Sequence, residues 1–164
     1  MPKLINLRAE LLAAEAMPHW LSLAQFGDCA PARDQSTQPG ALDGRIGLVL
    51  HGGDDLAPVA GALQFCAAVA VQFPRFTDGR GLTIAQQLRS RYGWGGPLWA
   101  LGDILRDQLF ALARVGFDHF ALRDDQNELT AAAAFHDYGV RYQASWDSPQ
   151  PLWGRHDRTV VRTP

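Results

Sequence analysis

Short, almost wholly apolar runs alternate with amphipathic segments of helical length in the central part of the chain. This alternation constrains the fold more than any other feature. The runs Ile46 to Leu50 and Ala67 to Phe73 are typical of strands that are buried on both faces, as in a parallel sheet. Leu98 to Leu101 and Phe117 to Leu122 repeat the pattern, and Val140 to Ala144 is a candidate last strand.

Capping residues predict helices between the first strands. Asp54 or Asp55 can cap a helix that has Pro58 in its first turn, where the missing N–H costs little. Thr83 and Gln86 have the spacing of a capping box, which predicts the start of a second helix.

The later helices are predicted in the same way. Asp103 is expected to cap a strong helix that stops at Gly116, and Asp125 with Glu128 forms a second capping box. Gln108 lies on the apolar stripe of the first of these helices, so its amide must be satisfied by a backbone group or a polar neighbour.

The resulting order βαβαβαβαβ predicts a single α/β domain with a mostly parallel sheet flanked by helices, either as an open sheet or as a partial barrel. The core domain is expected to span residues 45–144. Residues 1–44 are expected to form a loosely attached helix (Leu7 to Ala16) and a loop that includes the proline-bearing stretch Pro31 to Pro39, and residues 145–164 an irregular tail.

Charge and cysteine usage exclude several classes of protein. The formal net charge of -2 argues against a general nucleic-acid binder. Cys29 and Cys66 lack CxxC spacing, so no redox dithiol, iron–sulfur or zinc site is expected, and a reduced, cytoplasmic setting is the default. No apolar run is long enough to span a membrane, and no association with a membrane is expected.

Polar residues that follow the predicted strands are the candidates for function. In a parallel sheet these positions meet at the carboxyl edge, where loops and helix N-termini supply free donors. Asp78 and Asp103 are the candidate catalytic residues, and the candidate anion-binding residues are His51, Gly79, Arg80, Gly81 and Arg106.

Each of these candidates also has a purely structural interpretation. Gly79 and Gly81 would allow positive φ and close backbone approach around the forked donor of Arg80, but Asp78 and Arg80 could equally form a self-paired turn. Asp103 could be a helix cap, and His51 an ordinary loop residue.

Other chemical motifs are missing from the chain. There is no Walker A loop, dinucleotide fingerprint or nucleophile elbow, and the histidines form no HxxxH or HxH pattern. No cofactor and no metal are therefore predicted.

Two blocks of the sequence resemble a known family. Phe73 to Gly81, followed by Ala85, Leu88-Arg89 and Tyr92-Gly93, and then Gly102 to Leu109 with Arg114 to Phe120, are similar to the two signature blocks of the bacterial family catalogued as domain of unknown function 934. The likeness covers about Arg45 to Leu122. One departure stands out, because Pro97-Leu98-Trp99-Ala100 replaces the usual Glu-Leu-Arg-Ala and removes an acid and an arginine from any anion site that uses them.

The resemblance implies a small cytoplasmic protein encoded beside assimilatory sulfite reductase and labelled as an oxidoreductase of sulfite reduction. The preferred hypothesis is an accessory protein of sulfur assimilation that binds a partner, such as the sulfite reductase subunits, or a small oxyanion, without a redox cofactor of its own. The alternative is an enzyme that acts on a small anionic metabolite, with Arg80 as the clamp and Asp78 or Asp103 moving a proton. The third hypothesis is a module that only mediates protein interactions and has no ligand at the carboxyl ends of its strands.

Overall fold

The computed structural model describes residues 3–7, 10–12, 17–29, 46–61, 63–139 and 142–150. The strands within them are β1 (Lys3–Asn6), β2 (Leu11–Leu12), β3 (His19–Ser22), β4 (Ile46–His51), β5 (Ala68–Phe73), β6 (Leu98–Gly102) and β7 (His119–Leu122). The helices are α1 (Leu23–Cys29), α2 (Arg80–Ser90), α3 (Leu109–Arg114) and α4 (Glu128–Ala133). Short 3₁₀ turns occur at Ala57–Val59, Leu63–Phe65, Arg106–Gln108 and Ala134–His136.

The seven strands form one sheet in the order β2-β1-β7-β6-β5-β4-β3. Strands β3 to β7 are parallel and each pairs with the next in sequence, whereas β1 is antiparallel to both β7 and β2. The predicted α/β class and mostly parallel sheet are confirmed. Because each crossover moves in the same direction across the sheet, right-handed connections place successive helices on the same face.

Two buried clusters reflect this one-sided arrangement. The larger one joins strand side chains such as Leu50 and Phe120 to helix side chains such as Leu88 and Leu112. The smaller one lies on the opposite face, and its buried members all come from strands: Leu4, Ala68, Ala70, Trp99, Leu101 and Ala121. Alternate residues of β5 therefore enter different clusters, as expected for a strand buried on both faces.

The four central strands follow the predicted apolar runs closely. β4 is one residue longer than expected, β5 and β6 differ by one residue, and β7 begins at His119 rather than Phe117. Gly116 has a φ of 110°, a conformation that L side chains rarely adopt, and it follows α3 as the expected stop signal.

The predicted helix from Leu7 to Ala16 is wrong where the structure describes it. Leu11–Leu12 is strand β2, which pairs with β1, and residues 8–9 and 13–16 lie outside the described residues. These residues form a strand despite their helical composition, because β1 pairs with the edge of β7 and its own free edge then pairs with β2.

The segment before residue 45 is joined to the sheet in its described parts. Ile5 on β1 and Phe26 on α1 are both buried in the larger cluster, so the expected loose attachment is wrong for these parts. The boundaries at residues 44 and 144 stay a prediction, and the loop at residues 31–39 lies outside the described residues.

Two predicted helix starts differ from the structure. After β4 there are two 3₁₀ turns in place of a helix, although Asp55 Oδ1 does accept a hydrogen bond from Ala57 N at 3.0 Å. Helix α2 begins at Arg80 instead of Thr83, and the predicted capping box is not used, because no side chain caps this terminus.

Two further predicted caps are wrong. Asp103 does not cap α3, since its side chain binds other loops, as described below. Helix α4 is capped by Asn127, whose Oδ1 accepts from Leu129 N at 2.9 Å and Thr130 N at 3.2 Å. Asp125 does not cap it because its carboxylate pairs with Arg123.

The end of the chain contains no fifth central strand in its described residues. Residues 142–144 of the predicted strand Val140 to Ala144 are not in a strand, and residues 140–141 lie outside the described part. Residues 145–148 form a turn closed by a bridge between Ser145 and Ser148, and residues 151–164 also lie outside the described part. No helix in the described ranges is long and apolar enough to cross a membrane.

Candidate functional site

The loops that follow β4 to β7 lie at one edge of the sheet because these strands are parallel neighbours. We call residues 51–56, 74–80, 102–108 and 123–127 the carboxyl edge. The loops touch one another, since Arg80 packs on the first loop and Asp103 reaches the second. The prediction that distant polar residues meet at this edge therefore holds for the loops after β5, β6 and β7. The loop after β4 joins them through its contact with Arg80.

Asp78 and Arg80 form a bidentate ion pair. Arg80 Nε donates to Asp78 Oδ1 at 2.9 Å and Nη2 to Oδ2 at 2.7 Å, while Arg80 N also donates to Oδ1 at 3.2 Å. The Arg80 side chain is 66% exposed. These hydrogen bonds from Arg80 lower the pKa of Asp78 to about 2. The self-paired turn that the sequence left open is thus present, and Arg80 still faces solvent.

Gly52 is the unforeseen partner of Arg80. A Cβ at Gly52 would lie 2.6 Å from Arg80 Cβ, closer than real Cβ atoms approach. Only a residue without a side chain lets Arg80 lie against the turn after β4. The adjacent glycines at positions 52 and 53 were the sequence signal for this contact.

The two glycines beside Arg80 do not have the role that their spacing suggested. Gly79 has a φ of -76°, and a Cβ there would meet nothing within 4 Å. Gly81 is helical, and a Cβ there would lie 2.6 Å from the Phe73 ring and 3.0 Å from Val71. The prediction of positive φ at either position is wrong. Gly81 instead allows α2 to pack closely on β5.

Asp103 ties three loops together. Its Oδ2 accepts a hydrogen bond from Phe76 N at 2.9 Å, and its Oδ1 accepts from Arg123 Nη1 at 2.9 Å. Arg123 also donates to both oxygens of Asp125 at 2.7 and 2.8 Å. Hydrogen bonds from Arg123 lower the pKa of Asp125 to about 2, and the two carboxylates raise the pKa of Arg123.

Gln108 joins the start of α3 to the loop after β5. Its Oε1 accepts from Leu105 N at 2.9 Å, and its Nε2 donates to Phe76 O at 2.8 Å. The expectation that its amide is satisfied by backbone groups is confirmed. Together with Asp103, it holds both main-chain polar groups of Phe76.

Arg106 and His51 each bind groups outside the set of predicted site residues. Arg106 Nη2 donates to Asp137 Oδ1 at 3.0 Å and Nε donates to Thr130 O at 3.0 Å, so its guanidinium is directed toward α4 and the turn after it. His51 N donates to Asp54 Oδ2 at 2.7 Å, and its ring Nδ1 lies 3.7 Å from the same oxygen. The hydrogen bonds and ion pairs of these two side chains within the described residues are therefore to groups other than Asp78 and Arg80.

A groove lies between the loop after β5 and α3. It has a volume of about 200 Å³, and we call it the α2–α3 groove. Its lining comprises Phe73, Phe76, Asp78, Gly79, Leu82, Asp107, Gln108, Ala111 and Leu112. Two of the predicted site residues, Asp78 and Gly79, therefore border this groove, and the two charged members of its lining are both carboxylates.

The structural role of Arg89 was not predicted from the sequence, although this residue is in the motif that carries the family resemblance. Only 5% of its side chain is exposed. It donates to Gly116 O, Trp94 O, Gly96 O and Asp118 Oδ2 at 2.6 to 3.0 Å. These acceptors precede β6 and β7, so Arg89 stabilises the amino edge, away from the predicted site. No local sequence signal distinguishes it from an exposed helical arginine.

The described residues hold no cluster of three or more His, Cys, Asp or Glu side chains suited to a metal ion. Cys66 packs against the larger core cluster, as its apolar neighbours predicted, and burial raises the pKa of its thiol to about 12. A thiol with that pKa is a poor nucleophile at neutral pH.

Comparison with known proteins gives one family. The model of a family described as "Bacterial protein of unknown function (DUF934)" matches residues 47–153, about two thirds of the chain. The match includes β4 except its first residue, the strands β5 to β7, and the carboxyl edge. No curated protein and no solved structure matches.

Proposed function

The chain belongs to the DUF934 family of bacterial proteins of unknown function, and from this premise we propose that it is an accessory protein of assimilatory sulfite reduction. It binds a partner protein at the carboxyl edge and works in the cytoplasm without a redox cofactor of its own. The link to sulfite reduction comes from the genomic setting that the sequence resemblance implies. The preference for a binding role comes from the electrostatics of the edge.

The observation that carries the binding role is the fixed charge of the edge. A general acid or base works best with a pKa near the operating pH. The carboxylates of Asp78 and Asp125 are instead each held in a bidentate ion pair, by Arg80 and Arg123, and these hydrogen bonds lower their pKa values to about 2. Such carboxylates remain anions at neutral pH, which suits recognition and disfavours the alternative of an enzyme in which Asp78 moves a proton.

The sign of the charge favours a protein partner over a small anion. The carboxyl edge carries seven aspartates and four arginines: Asp54, Asp55, Asp78, Asp103, Asp107, Asp124 and Asp125 against Arg75, Arg80, Arg106 and Arg123. A small oxyanion would meet this negative excess, whereas a basic protein surface would be attracted to it.

Capture of sulfite reductase tests the proposal. The tagged full-length chain is expected to retain the sulfite reductase subunits of its own cell, and Asp124→Lys at the carboxyl edge is expected to reduce the amount retained. Glu10→Lys is the matched control because Glu10 binds Asn6, which is paired with His119 at the amino edge. No retention beyond that of the tag alone would refute the partner.

A small oxyanion is a second candidate ligand because the Arg80 guanidinium is largely exposed. Sulfite or sulfate in a thermal-shift titration is expected to raise the melting temperature of the parent protein, and Arg80→Ala is expected to abolish that rise when each protein is compared with its own unliganded form. No response in the parent, or an equal response in the variant, would remove the oxyanion from the proposal.

A further inference from the structure

We propose that the α2–α3 groove, with the Phe76 ring at its rim, docks an apolar side chain that a partner protein presents between basic residues. The inference rests on the proposed binding role and adds the location and the chemistry of the contact. It is carried by three features of the described residues: the clamped backbone of Phe76, the size and lining of the groove, and the sign of its charge.

Phe76 is an exposed aromatic side chain on an ordered backbone. The residue is 47% exposed. Its N–H donates to Asp103 Oδ2 and its carbonyl accepts from Gln108 Nε2, so side chains from two other segments hold it in place. A preordered aromatic anchor loses little conformational entropy on binding, which is why such residues dominate interface energetics.

The volume of the groove suits a side chain better than a metabolite. Small-molecule sites usually enclose roughly 300–1,000 Å³, whereas the groove encloses about 200 Å³. Phe73, Leu82, Ala111 and Leu112 supply apolar lining. A leucine, isoleucine or methionine side chain can fill such a space and exclude water from it.

The charge of the lining selects the flanking residues of the partner. Asp78 and Asp107 are the charged side chains that border the groove. The carboxylate of Asp78 is already paired with Arg80, whereas Asp107 forms no ion pair within the residues that the structure describes, so Asp107 supplies the unbalanced negative charge of the lining. Arginine or lysine next to the inserted apolar side chain would therefore be attracted, and acidic flanks would be repelled.

A peptide titration tests the chemistry directly. The probe is a heptapeptide with a central leucine, two arginines on each side and a glycine at each end, added to the ¹⁵N-labelled full chain. Saturable amide shifts are expected at residues 76–79 and 107–112. The same peptide with glutamates for the arginines, or with serine for the leucine, is expected to produce much smaller shifts there. Equal shifts from all three peptides, or shifts confined to another surface, would overturn the proposal.

Variants locate the contact on the protein. Phe76→Ala is expected to weaken peptide binding by about tenfold or more, and Asp107→Lys by about threefold to tenfold. The controls are Tyr142→Ala, which removes another exposed aromatic side chain that does not line the groove, and Glu10→Lys at the amino edge. Melting curves identify any variant that fails to fold. If both variants are folded and both bind the peptide with unchanged affinity, the groove is refuted as the docking site.

The groove and the proposed function can fail separately. If the chain captures sulfite reductase and the groove variants capture it equally well, only the docking site is refuted. If the chain captures no sulfite reductase but the arginine–leucine peptide binds at Phe76, the sulfur-assimilation partner is refuted and the groove stands.

Discussion

Replacement of Arg89 by methionine tests the most buried charged contact in the described structure. Methionine keeps much of the unbranched length and apolar volume of the arginine stem but removes all five donors. In the parent, these donors bind three backbone carbonyls and the carboxylate of Asp118. The variant leaves those acceptors without their partner in a region that solvent barely reaches.

The expected loss of stability follows from that geometry. Removal of one partner from a buried charged pair costs about 3–5 kcal/mol, because the other groups remain desolvated and unsatisfied. Asp118 moderates the loss, since its side chain is 30% exposed and its Oδ1 still accepts from Leu98 N at 2.7 Å. We therefore expect a decrease of about 3 kcal/mol in the free energy of unfolding, a large part of the total for a domain of this size.

Urea denaturation at pH 7, followed by circular dichroism and tryptophan fluorescence, measures this change. Arg91→Met is the matched control, because Arg91 is an exposed arginine just beyond the end of the same helix. The control should change stability by less than about 0.5 kcal/mol. Asp118→Asn in a double-mutant cycle with Arg89→Met isolates the charge pair from the carbonyl contacts.

A loss below about 1 kcal/mol for Arg89→Met would refute the reasoning, because it would mean that water replaces the guanidinium without penalty. A loss equal to that of Arg91→Met would have the same meaning. A coupling energy near zero with Asp118 would leave the backbone carbonyls as the source of the stabilisation.

Three further outcomes are expected. Gln108→Ala should lower the free energy of unfolding by about 1–2 kcal/mol in urea denaturation, because two hydrogen bonds between segments are lost; a change under 0.3 kcal/mol, on the order of the error of such measurements, would contradict this. Gly81→Ala should destabilise by about 1–3 kcal/mol, because its Cβ would meet the Phe73 ring at 2.6 Å, whereas Gly79→Ala should be neutral or stabilising, because its Cβ meets nothing within 4 Å; the reverse order in thermal melting would refute the packing role. The folded-state pKa of Asp78, about 2, lies below its ordinary value of 3.8, so its pair stabilises the protein above pH 4 and that contribution is lost as the pH falls toward 2; Asp78→Asn should flatten the pH dependence of stability in that window, and an unchanged acid limb would contradict it.

The location of the candidate site could be predicted from the sequence, but most of its hydrogen-bond and ion-pair partners could not. That Asp78, Arg80 and Asp103 share one edge follows from their positions after successive parallel strands, a local pattern joined to a topological rule. The pairing of Asp78 with Arg80 is also local and was one of the alternatives that the sequence left open. The bond between Asp103 and Arg123 spans twenty residues and depends on how far each loop extends, which no spacing rule specifies.

Two kinds of error in secondary structure arose because a competing partner outweighed a local preference. Leu11–Leu12 has helical composition but is a strand, because the unpaired edge of β1 supplies backbone hydrogen bonds that outweigh a propensity difference of a few tenths of a kcal/mol per residue. Asp103 and Asp125 have the sequence position of helix caps but bind Arg123 instead, since a charged donor is a stronger partner than a backbone N–H.

The amino-acid sequence alone determined the α/β class, the four central strands and the edge at which their polar residues collect, because apolar periodicity and chain direction act locally and need no knowledge of distant contacts. Only the tertiary structure decided that β1 to β3 complete the sheet, that Arg89 is buried at the amino edge and that Phe76 is clamped at the rim of a groove. Each of these depends on which groups far apart in the chain come within hydrogen-bond distance, and the free energy of that choice is shared among many residues and carried by no single motif.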